Sequence, residues 1–193
     1  MFVLGTFAYP GSGQDVFARE LARRLNIHVY SLGDFFRNIA KERNILQTRE
    51  NLQKLRKEID KKHHKSFIPR KLAAEIILRN EPAIITGIRL KEEVEVFNCF
   101  FQFKLVFVFA ESSIRYQRLI NRKEEKDPTT HEEYRIQCQR EEAMFDLDYL
   151  ETVSDCNINC NLPKKLFLEN FEDTINVMGE EYKQLIMSIQ DSK

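Results

Sequence analysis

A glycine-rich stretch near the start of the sequence has residue types and spacing that suit phosphate binding. Residues 7–16 read FAYPGSGQDV, and apolar side chains recur at helical spacing from Asp15 onward. Glycine lets a backbone curl closely around an anion, and the unpaired N–H groups at a helix start favour negative charge. A tight strand-to-helix turn with no ligand would use the same residue types. The anion-binding interpretation predicts a cofactor site formed by Gly11, Ser12, Gly13, Gln14, Asp15 and Val16.

The stretch departs from the phosphate-binding motif G-x-x-x-x-G-K-[ST] at its charged and hydroxyl positions. Ala8 stands at the first glycine, Gln14 at the lysine and Asp15 at the hydroxyl residue. A frame shifted by one residue places Val16 at the hydroxyl position, so both frames lack the hydroxyl. In that motif the lysine reaches the β- and γ-phosphates and the hydroxyl ligates Mg²⁺. The sequence therefore predicts a degenerate Walker A loop that keeps its backbone cradle and loses positive charge.

The composition favours one globular domain with a sizeable core and argues against several classes of function. The 193 residues are 42% hydrophobic and carry 30 basic and 30 acidic side chains. Since nucleic-acid binders usually present a basic surface, a formal charge of zero argues against that class. Four cysteines without a repeated Cys-x-x-Cys pair predict free thiols, and no metal site is assigned. The first residues lack a signal-peptide pattern and the apolar runs are of strand length, so a cytoplasmic location is expected.

Short apolar runs alternate along the chain with segments of helical periodicity. Strands are predicted at 2–8, 27–31, 82–88, 104–110 and 155–160. Helices are predicted between these runs, and one long helix is predicted over residues 163–190. Strands that alternate with amphipathic helices favour a parallel sheet with helices on both faces.

Four further segments follow the loop in the order seen in one group of enzymes. They read YSLGDFFRNIAKERN, AIITGIRLKEEVEVF, VFVFAESSIRYQRLINR and SDCNINCNLPKKLFLENFEDTI. Together with the loop, they resemble the P-loop nucleoside and deoxynucleoside monophosphate kinases, including their adenylate, cytidylate and dephospho-CoA kinase relatives. The resemblance implies an α/β, three-layer P-loop NTPase (nucleotide kinase) fold with a parallel sheet and a helical lid. It also implies a single domain over 1–193, with an acceptor-binding helical insert at 44–80 and a lid at 122–142.

The same resemblance assigns roles to charged side chains. It implies that the loop binds the phosphates of ATP, and that Mg²⁺ accompanies ATP if the protein is active. It implies a substrate site for an acceptor phosphate at Asp34, Arg37 and Arg89, with catalytic lid arginines at Arg118 and Arg122. Phosphoryl transfer relies on such positive charge, and the arginine fork contacts phosphate at two points. Other interpretations stay open, since the lid arginines could form a solvated face and Asp34 could cap a helix.

The acid that such kinases carry after the third strand is missing as well, because Thr86 and Gly87 occupy those positions. The residues predicted for the acceptor site are thus all present, whereas the ATP site lacks the lysine, the hydroxyl and the strand acid. We expect a nucleotide- or phosphate-binding protein of the nucleoside monophosphate kinase type. Its ATP-dependent transfer to a small phosphorylated acceptor is expected to be weakened or lost.

Two alternatives to this function stay open. The first is an active nucleotide or dephospho-CoA-type kinase with an altered P-loop. The second is an interaction module that reuses the fold, with the phenylalanine-rich segment 95–109 as a homodimer or partner surface. Burial of that segment in the core is the more ordinary explanation. The expected partner is a small phosphorylated molecule, and neither a membrane nor nucleic acid is expected.

Overall fold

The structure, a computed structural model, describes residues 1–122, 124 and 127–191. Its strands are β1 (Phe2–Phe7), β2 (His28–Ser31), β3 (Ala83–Thr86), β4 (Gln102–Phe109) and β5 (Cys156–Asn159). Its helices are α1 (Gln14–Leu25), α2 (Leu32–Glu42), α3 (Arg49–His63), α4 (Phe67–Arg79), α5 (Lys91–Phe100), α6 (Ser112–Arg122), α7 (His131–Met144), α8 (Leu147–Thr152), α9 (Lys164–Glu169), α10 (Phe171–Met178) and α11 (Glu180–Asp191). None of these described helices is long and apolar enough to cross a lipid bilayer.

The strands form one parallel sheet in the order β2-β3-β1-β4-β5. β1 lies at the centre, where Val3 aligns with Ala83 of β3 and with Phe103 of β4. All six residues of β1 are buried, as expected for a strand covered by helices on both faces. This arrangement confirms the predicted α/β fold, and it brings the carboxyl ends of β1 and β3 to the same edge.

Side chains of β1 alternate between two hydrophobic clusters, one on each face of the sheet. Val3 and Phe7 belong to the cluster under α2, α3, α4 and α5. Phe2 and Leu4 belong to the cluster under α1 and the helices at the carboxyl end of the chain. The sheet is therefore the middle of three layers, and it fixes the helices that carry the candidate site.

The phenylalanine-rich segment 95–109 contributes mainly to the core. Phe97, Phe101, Phe103 and Phe107 are each at most 7% exposed, whereas Phe100 is 45% exposed. Their burial follows from the path of the segment, which runs along α5 and into the inner strand β4. The core explanation accounts for these side chains without a partner.

The expectation of one long helix over 163–190 is wrong. The segment forms α9, α10 and α11, with breaks at Asn170 and Gly179. Gly179 has a φ angle of 50°, a left-handed conformation that glycine adopts without steric cost. The breaks let α10 contact β5 while α11 contacts β1.

The helical insert and the lid implied by the resemblance correspond to separate helices. α3 and α4 lie within the predicted insert at 44–80, and α7 covers much of the predicted lid at 122–142. Residues 123, 125 and 126 of that lid lie outside the described residues. The assignment of these helices as an acceptor-binding insert and a lid stays a prediction.

Candidate functional site

A cleft with a volume of about 420 Å³ opens at the edge of the sheet where β1 and β3 end. Its walls are the loop after β1, the starts of α1 and α2, the face of α3 that carries Arg49 and Arg56, the loop after β3, and α6. Ten of the eleven residues that the sequence predicts for the site line this cleft, and Asp34 does not. The parallel sheet produces this convergence because its strands all end at one edge, where ligands bind in open α/β sheets.

The loop between β1 and α1 has the shape of an anion cradle. Gly11 and Gly13 have φ angles of 84° and 97°, which residues with a Cβ rarely adopt. A Cβ on Gly11 would also lie 2.7 Å from the backbone oxygen of Arg115, so α6 packs directly against the loop. Gly13 is the N-cap of α1 and provides no side-chain cap, so no capping side chain covers the helix start.

Ser12 places an unpaired hydroxyl in the same cradle. The residue is 1% exposed, and its Oγ has no hydrogen-bond partner among the described residues. A buried hydroxyl without a partner costs about 1–3 kcal/mol. Because Ser12 lines the cleft, an anion in the cradle could accept this hydrogen bond.

The side chains that replace the lysine and the strand acid are bonded to the protein. The Gln14 amide nitrogen donates to the backbone oxygen of Thr6 at 2.7 Å and to its hydroxyl at 2.8 Å. The Thr86 hydroxyl donates to the backbone oxygen of Tyr30 at 3.4 Å, which ties β3 to β2. Asp15, at the hydroxyl position of the motif, is exposed in the first turn of α1. The cleft therefore has a neutral amide and a carboxylate where the motif has a lysine and a hydroxyl.

Asp34 and Arg37 form an ion pair at the start of α2. Arg37 donates from Nε to Asp34 Oδ1 at 2.8 Å, and its guanidinium lines the cleft. The expectation that Asp34 caps the helix is wrong, because Ser31 is the N-cap and its Oγ accepts from the Asp34 backbone nitrogen. The side chains of this pair are 58% and 40% exposed, so the pair contributes little to stability. Arg37 can therefore exchange Asp34 for an anionic ligand at low cost.

Arg89 shares a buried carboxylate with Arg49, a residue the sequence analysis missed. Glu141 of α7 has a side chain 3% exposed and pairs with Arg89 through one oxygen. Its other oxygen accepts from Arg49 Nη1 at 2.5 Å. The Arg89 guanidinium also lies 4.8 Å from the centre of the Phe145 ring. This network holds both arginines at the cleft, which they line.

A second buried pair, Arg56 with Glu93, was also missed. Their side chains are 8% and 1% exposed. Glu93 also accepts from the backbone nitrogens of Arg89 and Leu90, at 2.6 and 3.0 Å. Burial opposes the charge of Arg56, but the attraction of Glu93 outweighs it and raises the Arg56 pKa. The seven-residue spacing of Arg49 and Arg56, about two helical turns, is the signal that could have placed both on one face of α3.

Arg118 clamps the glycine-rich loop instead of pointing freely into the cleft. Its Nη1 donates to the backbone oxygens of Gly11 and Ser12, at 3.3 and 3.2 Å. Its Nη2 donates to those of Cys160 and Leu162, at 2.6 and 2.8 Å. These bonds tie the loop after β1 to the loop after β5. The predicted catalytic role of Arg118 stays a prediction.

Arg122, the other predicted lid arginine, lies at the mouth of the cleft. Its Nε and Nη2 donate to the two oxygens of Asp127, at 2.7 and 2.5 Å. The hydrogen bonds that Arg122 donates to Asp127 raise the Arg122 pKa, and the nearby charges of Asp127, Glu124 and Asp15 add to that effect. Arg122 is thus close enough to Asp15, in the first turn of α1, to feel its charge.

The charged side chains that line the cleft are mostly arginines, and the donor set of the cleft does not suit a metal. One acid, Asp15, lines the cleft with six arginines: Arg37, Arg49, Arg56, Arg89, Arg118 and Arg122. Mg²⁺ prefers carboxylate and hydroxyl oxygens in an octahedral arrangement. Within the part of the chain that the structure describes, no group of three or more histidine, cysteine, aspartate or glutamate residues could hold a metal ion.

Comparison with known proteins identifies the family. Residues 7–135 match the family described as the AAA domain. The UPF0200 protein of Hyperthermus butylicus is 33% identical over 164 residues, which is 84% of this chain and 85% of the relative. The chain belongs to this AAA-domain, UPF0200 family of P-loop proteins. The predicted P-loop kinase-like family is thereby confirmed.

Solved structures agree with the family on the fold. TT1252 from Thermus thermophilus superimposes with a TM-score of 0.62 at 17% identity, covering 91% of this chain and 96% of that one. Shikimate kinase from Bacteroides thetaiotaomicron superimposes with a TM-score of 0.56 at 14% identity, covering 91% and 98%. The family therefore has a kinase-like P-loop nucleotide-binding fold, and these distant structures say nothing about its substrate.

Proposed function

We propose that this protein binds a nucleotide or other small phosphorylated molecule in the cleft and transfers phosphate weakly or not at all. The observation that carries this proposal is the convergence of six arginines on the cleft that contains the glycine-rich loop. Arginine suits phosphate because its planar fork donates two parallel hydrogen bonds. A neutral ligand would not form ion pairs with these arginines.

The loop supports binding of a phosphate chain. Gly11 and Gly13 give the backbone a concave shape, and α1 begins immediately after it. The helix dipole and backbone amides at such a start attract anions. Ser12 adds a buried hydroxyl with no partner among the described residues. These features fit the phosphates of ATP, which the loop would hold by backbone and hydroxyl donors.

The opposite end of the cleft supports binding of an acceptor phosphate. Arg37 has an exposed ion pair that a ligand can displace, and Arg89 is held in place by Glu141. An adjoining pocket of 180 Å³ is lined by both arginines together with Phe36 and Phe145. Arg56 lies over the Phe36 ring and Arg89 over the Phe145 ring, so the aromatic side chains hold arginines that suit an anionic group.

Weak transfer follows from the residues at the loop. Phosphoryl transfer depends on positive charge around the transferring group. The Gln14 amide is neutral and bonded to Thr6, and Asp15 brings negative charge. The four hydrogen bonds of Arg118 are made to backbone oxygens. The loop can therefore hold phosphates better than it can stabilise their transfer.

One observation favours the alternative of an active kinase. Arg122 lies at the cleft near Asp15, and an arginine there could supply part of the charge that the missing lysine would supply. An arginine placed on the transferring group is worth several orders of magnitude in rate. Turnover therefore has to be measured beside binding.

Thermal unfolding with a ligand panel tests the proposal. The panel is ATP, ADP, the common nucleoside and deoxynucleoside monophosphates, and dephospho-CoA. A ligand at one hundred times its dissociation constant stabilises a protein by about 2.7 kcal/mol, so we expect a clear rise in Tm with at least one of them. Arg37→Ala should reduce the rise caused by monophosphates, whereas Arg23→Ala, an exposed residue at the far end of α1, should not.

The outcomes separate the proposed function from its alternatives. Stabilisation with slow or undetectable consumption of ATP supports the proposal. Rapid consumption of ATP with a monophosphate supports the active kinase. If no ligand of the panel raises the Tm, the binding function is rejected and the interaction module becomes the better hypothesis.

A further inference from the structure

Apart from Asp15, the carboxylates beside the cleft that face its arginines are paired with them. Asp34 pairs with Arg37, and Asp127 pairs with Arg122. Glu141, shared by Arg49 and Arg89, and Glu93, paired with Arg56, are both almost fully buried. A metal ion would have to compete with a guanidinium for each of these carboxylates, and breaking a buried pair is strongly unfavourable.

The positions that would hold Mg²⁺ in the kinases that this chain resembles provide few oxygen ligands for the ion here. The strand acid is replaced by Thr86, whose hydroxyl donates to Tyr30. The loop hydroxyl is replaced by Asp15, a single exposed carboxylate. Mg²⁺ gives up its water reluctantly and needs well-placed oxygen ligands. The residues of this chain therefore do not fit the ion.

Arg56 and Arg122 each have a second carboxylate partner, Asp60 and Glu124, but the other arginines of the cleft are less well balanced. Arg49 and Arg89 share one carboxylate, and the bonds of Arg118 are to backbone oxygens. The positive charge of these arginines is thus only partly balanced by their own partners. A phosphate chain free of metal brings more negative charge to the cleft than the same chain bound to Mg²⁺. Electrostatic attraction between the cleft and the ligand is therefore greater when the ion is absent.

We propose that the cleft binds the metal-free form of a nucleoside di- or triphosphate, with arginines supplying the countercharge that Mg²⁺ supplies in the resembling kinases. This inference rests on the proposed binding function and specifies the form of the ligand that the site takes. It also accounts for the joint replacement of the loop hydroxyl and the strand acid, since both groups serve the metal.

Isothermal titration calorimetry with ATP and with ADP tests this inference on the full-length protein. Each nucleotide is titrated in EDTA and in excess Mg²⁺, with KCl adjusted so that ionic strength is equal, because screening alone weakens such binding. We expect the Kd in Mg²⁺ to equal or exceed the Kd in EDTA. A Kd that falls tenfold or more when Mg²⁺ is added, equivalent to about 1.4 kcal/mol, would overturn the inference.

Asp15→Asn provides a variant that should fold, because Asp15 is exposed. Removing this carboxylate should tighten nucleotide binding in EDTA and leave Mg²⁺ without a favourable effect. Glu169→Gln makes the same change of charge at an exposed site on α9 outside the cleft, and it should leave the Kd unchanged. If Asp15→Asn instead weakens binding and does so only in Mg²⁺, Asp15 is a metal ligand and the inference is wrong.

The result also distinguishes failure of this inference from failure of the proposed function. Binding that requires Mg²⁺ rejects the metal-free ligand but keeps the nucleotide-binding function. Absence of binding in both buffers, together with no rise in Tm with any ligand of the panel, rejects both. Binding in EDTA that is at least as tight as in Mg²⁺ supports both.

Discussion

Gln14 was predicted to bind a ligand, but its side chain is bonded to the turn between β1 and α1. Its amide donates to the backbone oxygen and the hydroxyl of Thr6, and Thr6 is fully buried. Each such bond contributes about 0.5–1.5 kcal/mol to stability. The Gln14 side chain therefore stabilises the strand-to-helix turn, and its substitution should lower the free energy of unfolding.

We expect Gln14→Ala to lower the free energy of unfolding by about 1–3 kcal/mol, because two hydrogen bonds are lost. Gln14→Glu should lower it further, since a carboxylate would face the Thr6 backbone oxygen. Urea denaturation of the three proteins measures both effects. A Gln14→Ala protein of unchanged stability but weaker ATP binding would show that the amide serves the ligand instead.

Arg118 joins two loops through four backbone oxygens, and this arrangement predicts a structural effect of its substitution. Lysine has a single ammonium group and cannot reproduce the arginine fork. In Arg118→Lys we therefore expect faster amide hydrogen exchange in residues 9–13 and 160–162, measured by mass spectrometry without ligand. Arg19→Lys, at an exposed position of α1, is the matched control.

The alternative for Arg118 is a role confined to the transferring phosphate. In that case Arg118→Lys would leave the exchange of both loops unchanged and would alter only turnover. The two outcomes differ in a protein without ligand, so the structural role is tested independently of activity.

At the level of elements, α3, α5 and α7 are joined by two buried carboxylates. Glu93 of α5 pairs with Arg56 of α3 and accepts from backbone nitrogens at the start of its own helix. Glu141 of α7 pairs with Arg49 of α3 and with Arg89. The positions of the arginines in the cleft therefore depend on how these helices pack.

Glu93→Gln keeps the size of the side chain and removes the charge that balances Arg56. Breaking a buried pair in this way costs up to about 3–5 kcal/mol, and Asp60, 3.5 Å from Arg56 Nε, keeps part of the compensation here. We expect a decrease of up to that size in the free energy of unfolding by urea denaturation. Glu95→Gln, an exposed neighbour on α5, should change it by less than about 0.5 kcal/mol. Equal effects of the two substitutions would contradict the role of the pair.

At the level of the whole molecule, the packing of β5 against the carboxyl-terminal helices controls two thiols. Burial raises the pKa of Cys156 from 9.0 to about 12, and the charges of Glu181 and Asp155 add to the effect. Burial also raises the pKa of Cys160 to about 12, opposed by Arg118. Both thiols are therefore held in the protonated form in the folded protein.

These shifts predict a fall in stability at alkaline pH. The unfolded chain releases thiol protons near pH 9, whereas the folded chain retains them up to about pH 12. The stabilisation is thus fully present below pH 9 and is lost as the pH rises toward 12. Tyr9, whose pKa is raised to about 12 by burial and by Asp148, acts in the same direction above pH 10.

Urea denaturation across pH 7 to 11 measures this dependence. The double variant Cys156→Ala, Cys160→Ala should show a smaller decrease above pH 9 than the parent protein. In the folded parent at pH 8, the exposed Cys99 should react with a thiol reagent before the half-buried Cys156 and the buried Cys160. Equal pH slopes in the parent and the variant would refute the assignment.

Much of the fold could be predicted from the sequence, because it depends on local patterns. The five strands were predicted from apolar runs of strand length that alternate with segments of helical periodicity. The sequence FAYPGSGQDV indicated the turn before α1. The prediction of one long terminal helix was wrong, because a single pattern of apolar spacing continues across the breaks at Asn170 and Gly179. Periodicity reports the faces of helices and does not report where a backbone turns.

The loop motif and the family resemblance predicted ten of the residues that line the cleft, and they converge because all the strands of a parallel sheet end at one edge. The contacts that each side chain makes there could be known only from the folded structure. Gln14 bonds to Thr6, Arg118 bonds to four backbone oxygens, and Arg49 enters the site through Glu141. The contact of Gln14 depends on the conformation of the turn between β1 and α1, and those of Arg118 and Arg49 depend on distances between segments far apart in the chain. No local pattern encodes such distances, because the packing of helices against the sheet sets them.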